Sequence, residues 1–462
     1  MFKRILIANR GEIALRVLRA CREMEIETVA VYSTADADAL HVQLATQSVC
    51  IGPPKAADSY LNQAALLTVA KSTGCDAIHP GYGFLSENAD FADACAQAGL
   101  KFIGPSGDSI RKAGSKAAAC ALMKAAGVPT VPGSNGPVAD ENAALKIAAE
   151  VGYPVLLKAS AGGGGRGIRK VESAEDLPAA FHEARSEAVA CFGDGTMYLE
   201  KFVVNPRHIE FQILADSQGR TIHLYDRDCS VQRRNQKLIE EAPARCLTPE
   251  LRREMGAAAV RAAQAVAYEN AGTVEFLLAE DNRFYFCEMN TRVQVEHGVT
   301  EMVTGVDIVR QQIRIAAGLP LGMEQADVKL SGHAIECRVN AEDPAANFRP
   351  CPGTASFVYF PGGTGVRIDS GLYSGYMLPP YYDSLAAKVL VHAPTRLEAI
   401  RRMRRALEEL TIEGFPTNAG LSHLILCHPD YVRGVCTTAF LENHLQELLD
   451  WDRLAAESEA TQ

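Results

Sequence analysis

Along roughly the first hundred residues, apolar positions follow two alternating rhythms. The short run ILIA at residues 5–8 is followed by Ile13, Val17, Ala20, Cys21 and Met24, a spacing that predicts a helix. ETVAVYS, SVCIG, DAIHPG and KFIGP then read as strands, with helices at LNQAALLTVAKST and ADFADACAQAG. Short strands separated by helices predict right-handed crossovers and a doubly wound α/β sheet. Its ligand crevice belongs at the C-terminal strand ends. The first such turn, Asn9-Arg10-Gly11-Glu12, is not a dinucleotide fingerprint, and Arg10 and Glu12 suit either a helix first turn or a polar site.

Beyond this region the rhythm changes. SKAAACALMKAAG predicts a helix ending at Gly127, and VPTVPG reads as a linker. A small segment, 153–202, opens on YPVLLKAS and closes on MYLEKF, both strand-like. Hairpins follow, one turning at 216–219 and another spanning 272–289. The expected organisation is a doubly wound unit at 1–130, a small lid at 131–203, an α+β unit at 204–447 and a frayed polar tail at 448–462.

Composition narrows the function. Lys plus Arg is 46 against 56 Asp plus Glu, a net charge of −10 over 462 residues. That excess of acid argues against nucleic acid as the main ligand, without excluding local anion pockets. No run of 18 apolar residues predicts a membrane span, and Arg10 and Glu12 break the short N-terminal apolar run before it resembles a leader. The 13 cysteines include no C-x-x-C pair, which fits a reducing, cytoplasmic setting.

Three stretches carry candidate chemistry. In KASAGGGGRGIRKV, Gly162, Gly163, Gly164 and Gly165 lie between two strands and can lay backbone amides over phosphates, with Lys158 and Lys116 as cations. A flexible glycine linker is the alternative. In GTVEFLLAEDNRFYFCEMNTRVQVEH, a two-residue turn at Asp281-Asn282 places Glu275 opposite Glu288. Facing carboxylates need a cation or a shared proton, and with Asn290 they offer hard oxygens suited to magnesium. If the strand stays extended, Arg292, Gln294 and Glu296 continue this face, while Phe276, Leu278, Tyr285, Cys287 and Met289 enter the core. Arg292 then suits an anion and Glu296 a base, although a solvated polar face has the same pattern. In RDCSVQRRNQK, the crowding of Arg227, Arg233, Arg234 and Lys237 suggests an anion pocket or a solvated charge run. Arg338, between Cys337 and Val339, wants an anionic ligand or a structural carboxylate.

IANRGEIA, HPGYGFLSE, KASAGGGGRG, EKF..NPRHIE, RDCSVQRRNQK, EEAP and EMNTRVQVEH occur in an order that resembles the biotin carboxylase subunits and domains of biotin-dependent carboxylases, over about residues 1 to 447. The resemblance implies the ATP-grasp architecture: a doubly wound N-terminal domain, a small glycine-loop lid and an α+β C-terminal domain. It implies that ATP phosphorylates bicarbonate to carboxyphosphate, which supplies carbon dioxide to N1′ of biotin on a carrier protein. This is the first half-reaction of an acyl-CoA carboxylase, with acetyl-CoA the foremost acceptor. Lys116, Lys158 and the lid glycines match phosphate contacts. Glu200, Lys201, Val203, His208, Gln232 and Leu277 match the nucleotide pocket. Glu275, Glu288 and Asn290 match ligands of magnesium or manganese. Lys237, Arg292, Gln294 and the Val295 amide match the bicarbonate pocket, Glu296 its base. Arg338 matches the residue that stabilises the biotin enolate, and Tyr82 lies near biotin. Implied partners are a biotin carboxyl carrier protein, a carboxyltransferase subunit and a second copy in a homodimer. Asn235 stands where many members have His, and Gly298 where proline is usual. The competing expectations are another ATP-grasp carboxylate-amine ligase and a nucleotide-binding protein without turnover.

Overall fold

A computed structural model describes residues 1–134, 136–159, 168–192 and 194–460. The glycines 162–165 lie outside these residues, as does the side chain of Lys116, whose backbone opens the helix Lys116–Ala125.

The apolar runs of the first hundred residues form a parallel sheet. Strands β1 (Arg4–Ile7), β2 (Glu27–Ser33), β3 (Gln47–Gly52), β4 (Ala77–His79) and β5 (Lys101–Phe102) lie in the order β3-β2-β1-β4-β5. The order reverses between β1 and β4, so a crevice opens beyond their C-terminal ends. Asn9 closes its floor, its Nδ2 donating to Pro80 O and Tyr82 O, both at 2.7 Å. Gly81 permits that approach, since its φ is +63° and a Cβ would meet Asn9 at 2.9 Å. On the helix Gly11–Glu23, Ile13, Val17, Ala20 and Cys21 are buried as their spacing predicts.

A small antiparallel sheet follows: β6 (Val155–Ala159), β7 (Ile168–Val171) and β8 (Met197–Lys201), ordered β7-β6-β8. Val155, Leu157, Phe181 and Leu199 give it a core of its own.

The third sheet is antiparallel and eight-stranded. It holds β9 (Arg207–Ala215), β10 (Thr221–Arg233), β11 (Gln236–Ala242), β12 (Asn270–Leu278), β13 (Phe284–Asn290) and β14 (His333–Asn340). The order runs β13-β12-β9-β10-β11-β14, then Leu385–Ala393 and Val366–Ser370.

Two expectations are corrected here. The β12–β13 hairpin turns through three residues, 280–282, with Asn282 in the left-handed region at φ 65°. A bulge at Cys287 then restores the register, so Glu275 still opposes Glu288. The bulge also switches faces. Phe284 and Phe286, rather than Tyr285 and Cys287, enter the core beside Phe276, Leu278 and Met289. The stretch from 448, expected as a frayed tail, belongs to a helix spanning Phe440–Ala460. Leu448 is fully buried and Trp451 packs on the same cluster. Leu448→Ala is therefore expected to cost roughly 2–5 kcal/mol in denaturant unfolding, whereas a frayed tail would lose less than about 0.5 kcal/mol.

Candidate active site

Neighbouring strands line up acids at one level of the large sheet. Glu210 on β9 pairs with Glu275 on β12, and Glu275 pairs with Glu288 on β13. Like charges in direct cross-strand register repel, so cations must sit among them. On the far side of Glu210, Arg227 is its partner on β10 and is fully buried. Its guanidinium donates to Glu210 and, at 2.9 to 3.1 Å, to Gln212, Thr300 and Thr273.

Lys237 supplies the central cation. From β11 its Nζ donates to Glu210 at 2.6 Å, Glu275 at 2.9 Å and Glu296 at 2.6 Å. Glu296 does not arrive on an extended strand. Pairing stops at Asn290, and a loop carries the chain to Glu296, the residue ahead of the helix His297–Thr304. The loop still returns its polar side chains to the acidic row. Gln294 donates to Glu275 Oε1 at 3.1 Å, as does Asn290 at 2.9 Å. Arg292 donates to Gln294 at 2.8 Å and Asn290 at 3.2 Å. Across the pocket, Arg338 Nη2 reaches the second oxygen of Glu296 at 2.9 Å. The half-buried Val295 carbonyl accepts from the buried ammonium of Lys388 at 2.9 Å.

These contacts set the charges. Burial, the largest influence on Glu275, pushes its pKa up, but Lys237 and His208 outweigh it and hold the acid well below the usual range. Glu296 is also held low: burial opposes ionisation, and Lys237, Arg338 and Arg227 favour it. His208, 3.1 Å from Glu275, is pushed up to about 9 despite its burial.

Several expected residues lie elsewhere around this row. Gln232 is buried opposite Lys237, and Leu277 is half-buried opposite His208 and Tyr285. Lys158 pairs with Glu200 within the small sheet, while Lys201 donates to the carbonyls of Gly152 and Tyr153 at 3.0 and 2.7 Å. Val203 is half-buried just past β8. Tyr82 stands at the parallel sheet's crevice, its hydroxyl bonded to Glu12. Glu12 in turn pairs with Lys388 at 3.2 Å, linking the crevice to the large sheet.

The basic run RDCSVQRRNQK is not one anion pocket. It is a hairpin that sends Arg227 into the sheet and Lys237 to the acids, while Arg233 lies 4.4 Å over the Phe348 ring and bonds Asn347. Asn235 sits in its two-residue turn at φ 65°, a conformation Asn tolerates well. At Gly298, a Cβ would come within 2.3 Å of Leu390 Cδ2, so a buried leucine fills the space beside the helix.

Sequence reasoning missed Glu210, Glu240, Lys388 and Glu87. Glu210 had a signal, since His208, Glu210 and Gln212 alternate with Ile209, Phe211 and Ile213. Glu87 had none; it caps Arg292 Nε at 2.9 Å from another domain, 205 residues away.

Comparison with known proteins decides the family. Family models described as biotin carboxylase N-terminal domain, carbamoyl-phosphate synthase L chain ATP-binding domain and biotin carboxylase C-terminal domain match residues 1–110, 115–324 and 336–443. A biotin carboxylase of Nostoc is 57% identical over 441 residues, 96% of this chain and 99% of the relative. The chain belongs to the biotin carboxylase family. A Campylobacter jejuni biotin carboxylase solved as a β,γ-ATP complex superposes with a TM-score of 0.90 at 49% identity, covering 96% of this chain and 99% of that one. The biotin carboxylase domain dimer of Hydrogenobacter thermophilus 2-oxoglutarate carboxylase, solved with MgADP, ADP and bicarbonate, gives 0.90 at 51% identity, covering 97% and 99%.

In this chain the acids around Lys237 stabilise the fold fully above the ordinary carboxylate range and lose that contribution as pH falls through their depressed values. Lys237→Met removes their common cation, with an expected loss of roughly 3–5 kcal/mol near neutral pH. The variant's sign is reversed: its unpaired acids protonate more readily, so mild acid restores stability. Denaturant midpoints at mildly acidic and neutral pH check both directions.

Proposed function

We propose that the chain carboxylates biotin on a carrier protein, using ATP and bicarbonate, with Glu296 as the base and Arg338 as the anion-stabilising group. The observation that carries this is the placing of Glu296. It is fully buried, ionised, and gripped through separate oxygens by Lys237 and Arg338. An anion seated by Lys237 and Arg292 draws charge away from Glu296 and raises its basicity at the moment bicarbonate is present.

Glu275, Glu288 and Asn290 fit a magnesium or manganese ion. Two carboxylates held in direct register form a hard donor pair whose repulsion a cation relieves, and Asn290, whose amide nitrogen donates to Glu275 here, would add its oxygen on turning over. A cation there neutralises charge on the nucleotide phosphates. His208, Gln232 and Leu277 line the wall toward the nucleotide, and the lid residues Lys158, Glu200, Lys201 and Val203 cover it, with Lys116 and the glycines 162–165 at the phosphates. Gln294 and the Val295 amide orient bicarbonate beside Arg292. Closing the lid, taken as 131–203, keeps water from carboxyphosphate, which favours transfer over loss. Tyr82 flanks biotin at the crevice joining the two sheets.

The partners follow from the chemistry. A biotin carboxyl carrier protein brings the substrate and a carboxyltransferase subunit takes the carboxyl group to its acceptor. A homodimer is supported by the dimeric Hydrogenobacter domain. Among the described residues no helix is long and apolar enough to cross a membrane.

The test is ATP cleavage by the purified chain with magnesium and bicarbonate, with and without free biotin. The expected result is a bicarbonate-dependent rate that rises with biotin as carboxybiotin forms. Independence from both would overturn the proposal. Arg338→Ala is expected to lower carboxybiotin formation about 100-fold, while bicarbonate-dependent ATP cleavage falls far less. Equal loss of both would remove the anion-stabilising role.

A further inference from the structure

Behind Arg338 stands a second pair of acids that the scheme above does not use. Glu240 on β11 and Glu336 on β14 face each other in register across antiparallel strands, and both are fully buried. Of their four oxygens, Glu240 Oε1 accepts from Arg338 Nε at 2.6 Å. Glu240 Oε2 and both Glu336 oxygens have no hydrogen-bond partner.

The groups around the pair come from every neighbouring element. Arg338 lies on β14, Lys237 on β11, Lys388 on the strand Leu385–Ala393 and Glu296 ahead of the helix His297–Thr304. The Cys229 and Cys337 thiols flank it. Lys388 is already engaged by Val295 O at 2.9 Å and Glu12 at 3.2 Å. On the remaining side, a Cβ at Gly298 would stand 3.4 Å from Glu336 Oε2, so the helix His297–Thr304 passes close to the carboxyl group.

Two fully buried carboxylates in register, with three of their four oxygens lacking a hydrogen-bond donor, are placed to hold a proton in common. We propose that Glu240 and Glu336 share one proton, and that this proton keeps the charge of Arg338 available to an anion at the biotin site. If the pair carried two negative charges, Arg338 would be neutralised from behind by Glu240 while Glu296 held its other edge. Burial, the largest influence, pushes Glu240 up to about 7 against the pull of Arg338, and pushes Glu336 well above the carboxylate range. Both acids act through Arg338 and are positioning residues. The role rests on the function proposed above; the shared proton does not.

Infrared difference spectroscopy separates the two. The carbonyl stretch of a protonated carboxylic acid, sensitive to D2O, is expected in wild-type protein at neutral pH and absent from Glu336→Gln. In wild-type protein the band disappears as pH rises, and carboxybiotin formation declines with the same midpoint. In Glu336→Gln that decline moves to higher pH, because the amide cannot ionise. If that variant does not fold, Glu240→Gln, which removes the other half of the pair, assigns the band instead. No band lost on substitution, or no such band in wild-type protein, overturns the shared proton. A band that titrates while carboxybiotin formation stays constant overturns its role. Absence of carboxybiotin at every pH overturns the function and the role together, while the band still reports the proton.

Discussion

The ammonium of Lys237 is the interaction on which the site depends. It is almost entirely withdrawn from water and touches three carboxylates carried by three separate pieces of chain. Glu210 comes from the middle of the sheet, Glu275 from the strand that carries the proposed metal ligands, and Glu296 from the loop beyond it. Taking charges out of water is costly, and a single cation repays that cost only when its partners are placed by something stiffer than side chains. Here the stiff element is the antiparallel sheet, whose register fixes Glu210, Glu275 and Glu288 at one level before any ligand enters.

That arrangement ties the proposed metal side of the site to its proposed base. Glu275 and Glu296 draw on the same ammonium, so any change of charge near one alters the other. Arg338 extends the coupling to Glu240, and Lys388 extends it through Val295 and Glu12 toward the parallel sheet. Excess acid in the whole sequence therefore has a local counterpart: the site holds more carboxylates than cations and is poised to accept a cation and to retain protons.

Much of the architecture was legible in the sequence because periodicity is a local signal. The alternation of short apolar runs and helical stripes gave the parallel sheet, and counting from the hairpin placed Glu275 opposite Glu288. The count succeeded through two offsetting departures, a three-residue turn and a bulge at Cys287. The same bulge defeated the assignment of faces at Tyr285 and Cys287, since one extra residue inverts the alternation on one side of it relative to the other. The last helix was misread because its polar composition hid Leu448 and Trp451 on one face. Glu87, Glu240 and Lys388 were out of reach, as their partners lie in distant parts of the chain. A base at Glu296 was expected from the polar face and from resemblance, and the role proposed for Arg338 from resemblance; what the structure adds is that the two grip each other.

A double-mutant cycle between Lys237 and Glu210, read by carboxybiotin formation, tests the central claim most directly. Glu210 lies beneath the pocket and bonds the ammonium at 2.6 Å, which ties its influence on Glu275 and Glu296 to Lys237. Glu210→Gln is predicted to cost much less in a Lys237→Met background than in the wild type, a coupling of about 1–3 kcal/mol. Equal cost in the two backgrounds would show that the carboxylates act independently and would contradict the account.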